Sequence, residues 1–186
     1  MTVLVLGLTL WWSAHLTKRL APALRASLTE RLGDRSNGVF ALAILASVVL
    51  MVIGYRGAET SYLWTKTAAL VGINNLLVLL GFYMFAASGA KLRVTRFIRH
   101  PQLVGFSLWA LAHILVNGDI VSLMLFAGLL TWAVFEMVII TAQDGPYEPP
   151  APAPVRKEVT GIIAALVLFA IVAGIHIWLG YNPFGG

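Results

Sequence analysis

The sequence predicts an all-α protein, a polytopic six-helix transmembrane bundle with both termini outside, on the periplasmic side of a Gram-negative cell. Three observations predict it. Of the 186 residues, 59% are hydrophobic and only 11% charged, whereas a water-soluble chain carries about a quarter charged residues to cover its surface. Six apolar runs approach the ~20 residues that cross a hydrocarbon core. The 13 Lys and Arg residues then divide unevenly between the two sides those runs define. Intrinsic disorder is excluded, because disordered chains lack the apolar residues that fold them. With no Cys, a disulfide framework, a thiolate metal site and a catalytic thiol are excluded too.

The first run, Met1 to Thr17, has neither the basic start nor the small-residue exit of a cleavable leader, so it reads as a span. Leu20, Leu24, Leu28 and Leu32 recur every four residues with Arg25, Arg31 and Arg35 on other faces. That pattern predicts an amphipathic helix over about 20–35, either lying in the interface or capping the bundle. Val39 to Tyr55 and Thr67 to Ala90 are the second and third spans. Pro101 to Val116 is the fourth, with Pro101 suited to a first helical turn. Asn117-Gly118-Asp119 predicts a tight turn whose Asp caps the next helix, Ile120 to Thr141. Pro146, Pro149, Pro150, Pro152 and Pro154 make a solvated linker over 143–157. Val159 to Leu179 is the last span, and residues 1–186 form one domain.

Alternation of six spans puts Lys18, Arg19, Arg25, Arg31, Arg35, Lys91, Arg93, Arg96, Arg99, Arg156 and Lys157 on one side. Only Arg56 and Lys66 fall on the other. Basic loops stay cytoplasmic, which sets the termini outside. The net charge of +5 thus reports orientation in a membrane and not affinity for nucleic acid.

An ionisable side chain inside a span is costly and marks a candidate site. All four histidines, His15, His100, His113 and His176, lie in or at the edge of spans, as does Glu136 within one. Each imidazole has two possible uses: bonding a neighbouring helix, or ligating a metal or haem iron. Asn74 and Asn75 inside the third span either join helices or face a polar ligand. Gly72, Gly81, Gly89 and Gly105 allow close helix approach or leave room for a flat ligand. Trp11, Trp12 and Trp109 either wall a pocket or pack, while Trp64, Trp178 and Tyr181 sit at span ends as an interfacial belt. Arg96, Arg99 and His100, beside the helix start at Pro101, form a candidate anion or lipid-headgroup site.

The run Arg99-His100-Pro101-Gln102-Leu103-Val104-Gly105, continued by Leu108-Trp109-Ala110-Leu111-Ala112-His113 and Asn117-Gly118-Asp119, resembles the signature of the NnrU family of bacterial membrane proteins. His15, Arg31-Leu32-Gly33 and His176-Ile177-Trp178-Leu179-Gly180 agree with it, so the resemblance covers nearly the whole chain. It implies a multi-pass protein of the bacterial inner membrane, associated with denitrification, that is with nitrite and nitric oxide respiration. The family is similar to plant cis-zeta-carotene isomerase, which uses haem b. By that similarity the two axial histidines fall on His15 and His113. The plant enzyme's proposed alternative ligand, a Cys, falls on Ala110 here, so no exchange between His and Cys is available to this chain.

Depth along the spans gives a second ligand assignment. At 1.5 Å per residue, His113 lies about 6 Å below the outer surface and His176 about 8 Å below it, whereas His15 lies about 5 Å from the inner one. Axial nitrogens stand within about 4 Å of each other across a metal. Resemblance therefore pairs His113 with His15, and depth pairs His113 with His176. Asn74, Asn75 and Trp109 complete the expected cofactor site. Three functions follow as expectations: a haem b redox protein, a haem-dependent cis-trans isomerase of a carotenoid-like polyene, or a non-catalytic assembly or scaffold factor for a respiratory complex. Their partners would be the lipid bilayer, a respiratory or denitrification complex, or a lipophilic small molecule.

Overall fold

The computed structural model describes residues 1–185. Within them lie seven α-helices: α1 (Thr2–Leu20), α2 (Pro22–Leu32), α3 (Arg35–Arg56), α4 (Ala68–Ala90), α5 (Pro101–Val116), α6 (Ile120–Asp144) and α7 (Val155–Trp178). A 3-10 turn, Arg93–Arg96, follows α4, and there is no strand among the described residues beyond one isolated bridge, Tyr62 to Asp119. Every apolar run of the sequence coincides with a helix. Four of them, α3, α4, α6 and α7, are long and apolar enough to cross a membrane. At 16 residues, α5 is about 24 Å long, shorter than the ~30 Å hydrocarbon core, and α1 ends in Lys18 and Arg19. The chain is a multi-pass membrane protein. Large apolar side chains such as Leu42 and Leu45 on α3 and Ile163 and Val167 on α7 are exposed, and such a surface belongs in lipid and not in water.

Local chemistry sets the helix ends. Pro22 opens α2 and forces Ala21 out of helical geometry, which separates α1 from α2. Gly33, between α2 and α3, has a φ of +56°, a conformation in which a side chain would be strained. The Thr67 hydroxyl caps α4 by accepting from the Leu70 N–H at 3.3 Å. Asp119 caps α6 as its sequence position predicts, accepting from the Ser122 N–H at 2.9 Å.

Two expectations require correction. The Pro-rich linker spans 145–154 and not 143–157: Gln143 and Asp144 continue α6, because Gln143 donates to the Arg19 carbonyl and Asp144 pairs with Arg19 at 2.6 Å. Arg156 and Lys157 belong to the first turn of α7, whose early N–H groups need no helical partner. The linker is also not simply solvated. Ala153 is buried and its carbonyl accepts from Arg93 Nε at 3.0 Å, while the Tyr147 hydroxyl donates to the Thr95 carbonyl. The second correction concerns the leucine row. Leu20 belongs to α1, Pro22 interrupts the periodicity, and α2 buries no residue, which leaves Leu24 and Leu32 exposed at its surface.

The helices pack in the lateral order α3, α1, α6, α5, α4, α7. Two crossings are held close by glycine. A methyl group at Gly7 of α1 would meet the Met51 backbone of α3 at 2.7 Å, and one at Gly105 of α5 would meet the Gly81 carbonyl of α4 at 2.7 Å. The first and last helices of the series, α3 and α7, make no extensive contact with one another among the described residues. The connections gather at two ends. Arg19, the Arg93–Arg96 turn, Arg99 and the 145–154 linker meet at a basic end. At the far end, the 57–67 loop bonds to the 117–119 turn (Leu63 N–H to Gly118 O, 2.6 Å; Ile120 N–H to Ser61 O, 3.1 Å). The C-terminal segment is hung there too, on Asn75 (to Pro183 O, 3.1 Å) and Lys66 (to Gly185 O, 2.9 Å).

Candidate functional site

A cavity of about 1270 Å³ occupies the far-end half of the molecule. It is lined from every helix except α2, and its walls are mainly aromatic and aliphatic: Trp11, Phe82, Phe85, Phe106, Trp109, Phe126 and Phe169 among them. Its roof is the segment from Leu179 to Gly185. His113, one turn before the end of α5, and His176, in the last turn of α7, both line it.

The tautomer that these imidazoles adopt when neutral follows from their partners. Nδ1 of His113 lies 2.9 Å from the Trp109 carbonyl and Nδ1 of His176 lies 2.8 Å from the Val172 carbonyl. A carbonyl oxygen only accepts, so Nδ1 carries the hydrogen and donates it. Nε2 of each neutral ring is left with a lone pair. Fixing one ring nitrogen on a backbone carbonyl so that the other is basic and oriented is the arrangement found in metal-ligating histidines. Ring packing also holds His113, with Trp109 at 4.9 Å and Phe126 at 4.7 Å between centroids.

His15 has the same internal bond, Nδ1 to the Trp11 carbonyl at 2.9 Å, but it does not line the cavity. It lies on the basic-end side of Trp11, packed against that ring at 4.2 Å and against Trp132 of α6 at 4.7 Å. No hydrogen bond joins it to Glu136 among the described residues. The indole nitrogens of Trp11 and Trp132 and Oε2 of Glu136 are buried there without a protein partner among the described residues.

The other predicted residues separate in the same way. Asn74, Asn75 and Trp109 line the cavity with His113 and His176. Asn74 Nδ2 donates to Asn75 Oδ1 at 3.0 Å, and the Asn74 amide stands 3.0 Å from the Ala112 carbonyl of α5, so Asn74 sits at the contact of α4 with α5. At the basic end, Arg99 donates to the Gly145 carbonyl at 2.5 Å and His100 Nε2 lies 2.9 Å from the Thr141 hydroxyl. Burial first, and then the positive charge of Arg99, hold the His100 imidazole below its ordinary pKa. These two residues tie the start of α5 to the end of α6, while Arg96 is exposed. Among the described residues, no group of three or more His, Asp or Glu is arranged to hold a metal ion.

Several lining residues carried no signal as site residues in the sequence. Arg56 and Lys66 count there only as the two basic residues of the far side, yet both line the cavity, as do Tyr55, Asn117 and Asn182. Their position depends on how the 57–67 loop and the C-terminal segment fold back, which no local pattern encodes.

No curated protein and no solved structure matches the chain. A family model described as NnrU protein matches residues 3–183, which takes in all seven helices and both histidines of the cavity, and the chain belongs to the NnrU family.

Proposed function

We propose that this protein is a haem b-binding protein of the bacterial inner membrane, with six spans and both termini outside, serving membrane redox chemistry linked to nitrite and nitric oxide respiration. The observation that carries the reading is the pair His113 and His176: two imidazoles, each with Nδ1 held by a backbone carbonyl and Nε2 free of a protein partner among the described residues, lining one apolar cavity. Two imidazoles suit an iron whose other four positions come from a macrocycle, and a cavity of about 1270 Å³ exceeds the roughly 300–1,000 Å³ that holds most small ligands. Aromatic walls suit a flat apolar ring. Bound there, haem b would supply a one-electron couple; Asn74, Asn75 and Trp109 would shape its surroundings. The basic end is then cytoplasmic and the cavity opens in the outer half of the membrane, which agrees with the positive-inside rule.

The visible spectrum of the purified protein, oxidised and reduced, tests this directly. A sharp bis-imidazole haem spectrum is expected from the natural chain and from His15→Ala, and its loss from His113→Ala and from His176→Ala. A natural chain without haem, or a spectrum that survives His176→Ala and disappears with His15→Ala, overturns the assignment.

A second reading, a haem-dependent isomerase of a membrane-soluble polyene, is favoured by one feature: α3 and α7 bound the cavity without extensive contact between them among the described residues, which suits a lateral way in from the lipid. A change in carotenoid isomers on expression in a pigment-producing host would support it, and an unchanged pigment profile with haem present would reject it.

A further inference from the structure

The charge of the cavity is as one-sided as its shape. Its lining contains two cations, Arg56 and Lys66, and no carboxylate. Both stand at the far end: Arg56 is the last residue of α3 and Lys66 precedes the capping Thr67 of α4. They are also the two basic residues of the chain that lie away from the basic end.

Among the described residues neither cation forms an ion pair. The ion pair found among the described residues joins Arg19 to Asp144 at the opposite end. The acidic residues near the cavity are Glu59, which is exposed, and Asp119, whose carboxylate takes donors from Ser122 and Thr60. Lys66 does donate to the Gly185 carbonyl, but an ammonium has three donors and this contact uses one. Asn75 and Asn117 also line the cavity, each with its amide nitrogen donating to a backbone carbonyl (Pro183 and His113), while Phe82, Phe85 and Phe106 belong to the apolar wall. A cavity of this form takes an amphipathic anion, with its apolar body among the rings and its acidic groups at the mouth.

We infer that Arg56 and Lys66 bind the carboxylates of the cavity's ligand and so fix its orientation, acid groups toward the outer surface and apolar edge toward Trp11 and Phe106. The inference rests on the haem reading above: haem b has a flat apolar ring with two carboxylates on one edge, which matches two cations on one rim. Charge-assisted hydrogen bonds to carboxylates are the strong ones, and they act here beside low-dielectric walls.

The test compares haem b with its dimethyl ester, which has the same ring and iron but no charge on that edge. Full-length protein stripped of any haem is titrated with each in neutral detergent, and affinity is read from the Soret absorbance. The natural chain is expected to bind the free acid at least roughly tenfold more tightly than the ester. Arg56→Gln and Lys66→Gln each shrink that preference, and the double variant abolishes it while leaving the bis-imidazole spectrum and the ester affinity unchanged. The conservative variants Arg56→Lys and Lys66→Arg keep the preference. Equal affinity of the natural chain for acid and ester overturns the inference and leaves the haem reading standing; it is also the result if the two cations hold a lipid phosphate instead. A preference that persists in the double variant overturns it as well. Absence of a bis-imidazole spectrum with either form rejects the haem reading, and this inference with it.

Discussion

The Asp119 carboxylate shows how much one side chain does at the far end. Oδ1 accepts from the Ser122 N–H and from the Thr60 hydroxyl, both at 2.9 Å, and Oδ2 accepts from the Ser122 hydroxyl at 2.5 Å. It thereby caps α6 and pins the 57–67 loop that carries Lys66. Burial alone would raise its pKa, but the donors from Ser122, Thr60 and the Val121 backbone outweigh burial, so it lies below the ordinary carboxylate value. A carboxylate whose folded pKa is depressed contributes stability that is present above its unfolded value, about 3.9, and is lost as pH falls through the folded value. Asp119→Asn keeps a capping oxygen but removes the charge, and should cost about 1–2 kcal/mol at neutral pH. Thermal unfolding of the two proteins in detergent should show that gap closing as the pH drops below about 4; a gap of constant size would contradict the account. The cap itself was legible in Asn117-Gly118-Asp119, since a turn followed by an apolar run needs one. Its partner Thr60 was not, because 59 residues separate the two.

Among the elements, α4 and α5 bring Asn74, Asn75 and His113 to the cavity, and their separation is set by glycine. The sequence presents Gly72, Gly81, Gly89 and Gly105 as equivalent small residues, and the structure divides them. Gly81 and Gly105 face each other's carbonyl oxygens, with a methyl at Gly105 also 3.0 Å from Met84 Cβ, whereas nothing lies within 4 Å of a methyl at Gly72 or Gly89. Gly105→Val should therefore force the helices apart at a cost of about 1–3 kcal/mol, and Gly72→Ala should be neutral or slightly stabilising through helix propensity. Thermal unfolding distinguishes them, and equal effects would mean that the crossing is looser than its geometry. The same division explains what the sequence conveys about this site. His113, His176, Asn74 and Asn75 are visible because polar groups in apolar runs are rare, and helical rise alone places the two histidines at one depth. Arg99 and His100 look like an anion site because their partners, Gly145 and Thr141, come from the other end of α6. A basic cluster reads the same whether its donors face a ligand or a carbonyl. The 145–154 linker was misread for the same reason: its prolines announce the absence of helix but not the contacts of Tyr147 and Ala153.

For the whole molecule, the alternation of the helices follows from where the connections meet. Hydrogen bonds gather the 57–67 loop, the 117–119 turn and the C-terminal segment at one end, and the Arg93–Arg96 turn, the 145–154 linker and the α1 terminus at the other. Such sorting requires α1, α3, α4, α5, α6 and α7 to run alternately between the two ends, even though α5 is only 16 residues long. A helix shorter than the hydrocarbon core is accommodated by local thinning of the bilayer or by snorkelling of flanking residues, at fractions of a kcal/mol per Å. α5 packs against α4 and α6. The proposed orientation, with the basic end in the cytoplasm, puts Glu59 outside and Glu30 inside. The chain has no Cys of its own, so a single introduced thiol is an unambiguous reporter. Glu59→Cys and Glu30→Cys are both at exposed positions. In intact spheroplasts a membrane-impermeant maleimide should label the first and not the second, and permeabilisation should equalise them. If Glu30→Cys is labelled in intact cells and Glu59→Cys is not, the bundle is inverted, and the cavity with Arg56 and Lys66 opens toward the cytoplasm. If both are labelled, α3 does not cross the membrane and the six-span arrangement fails.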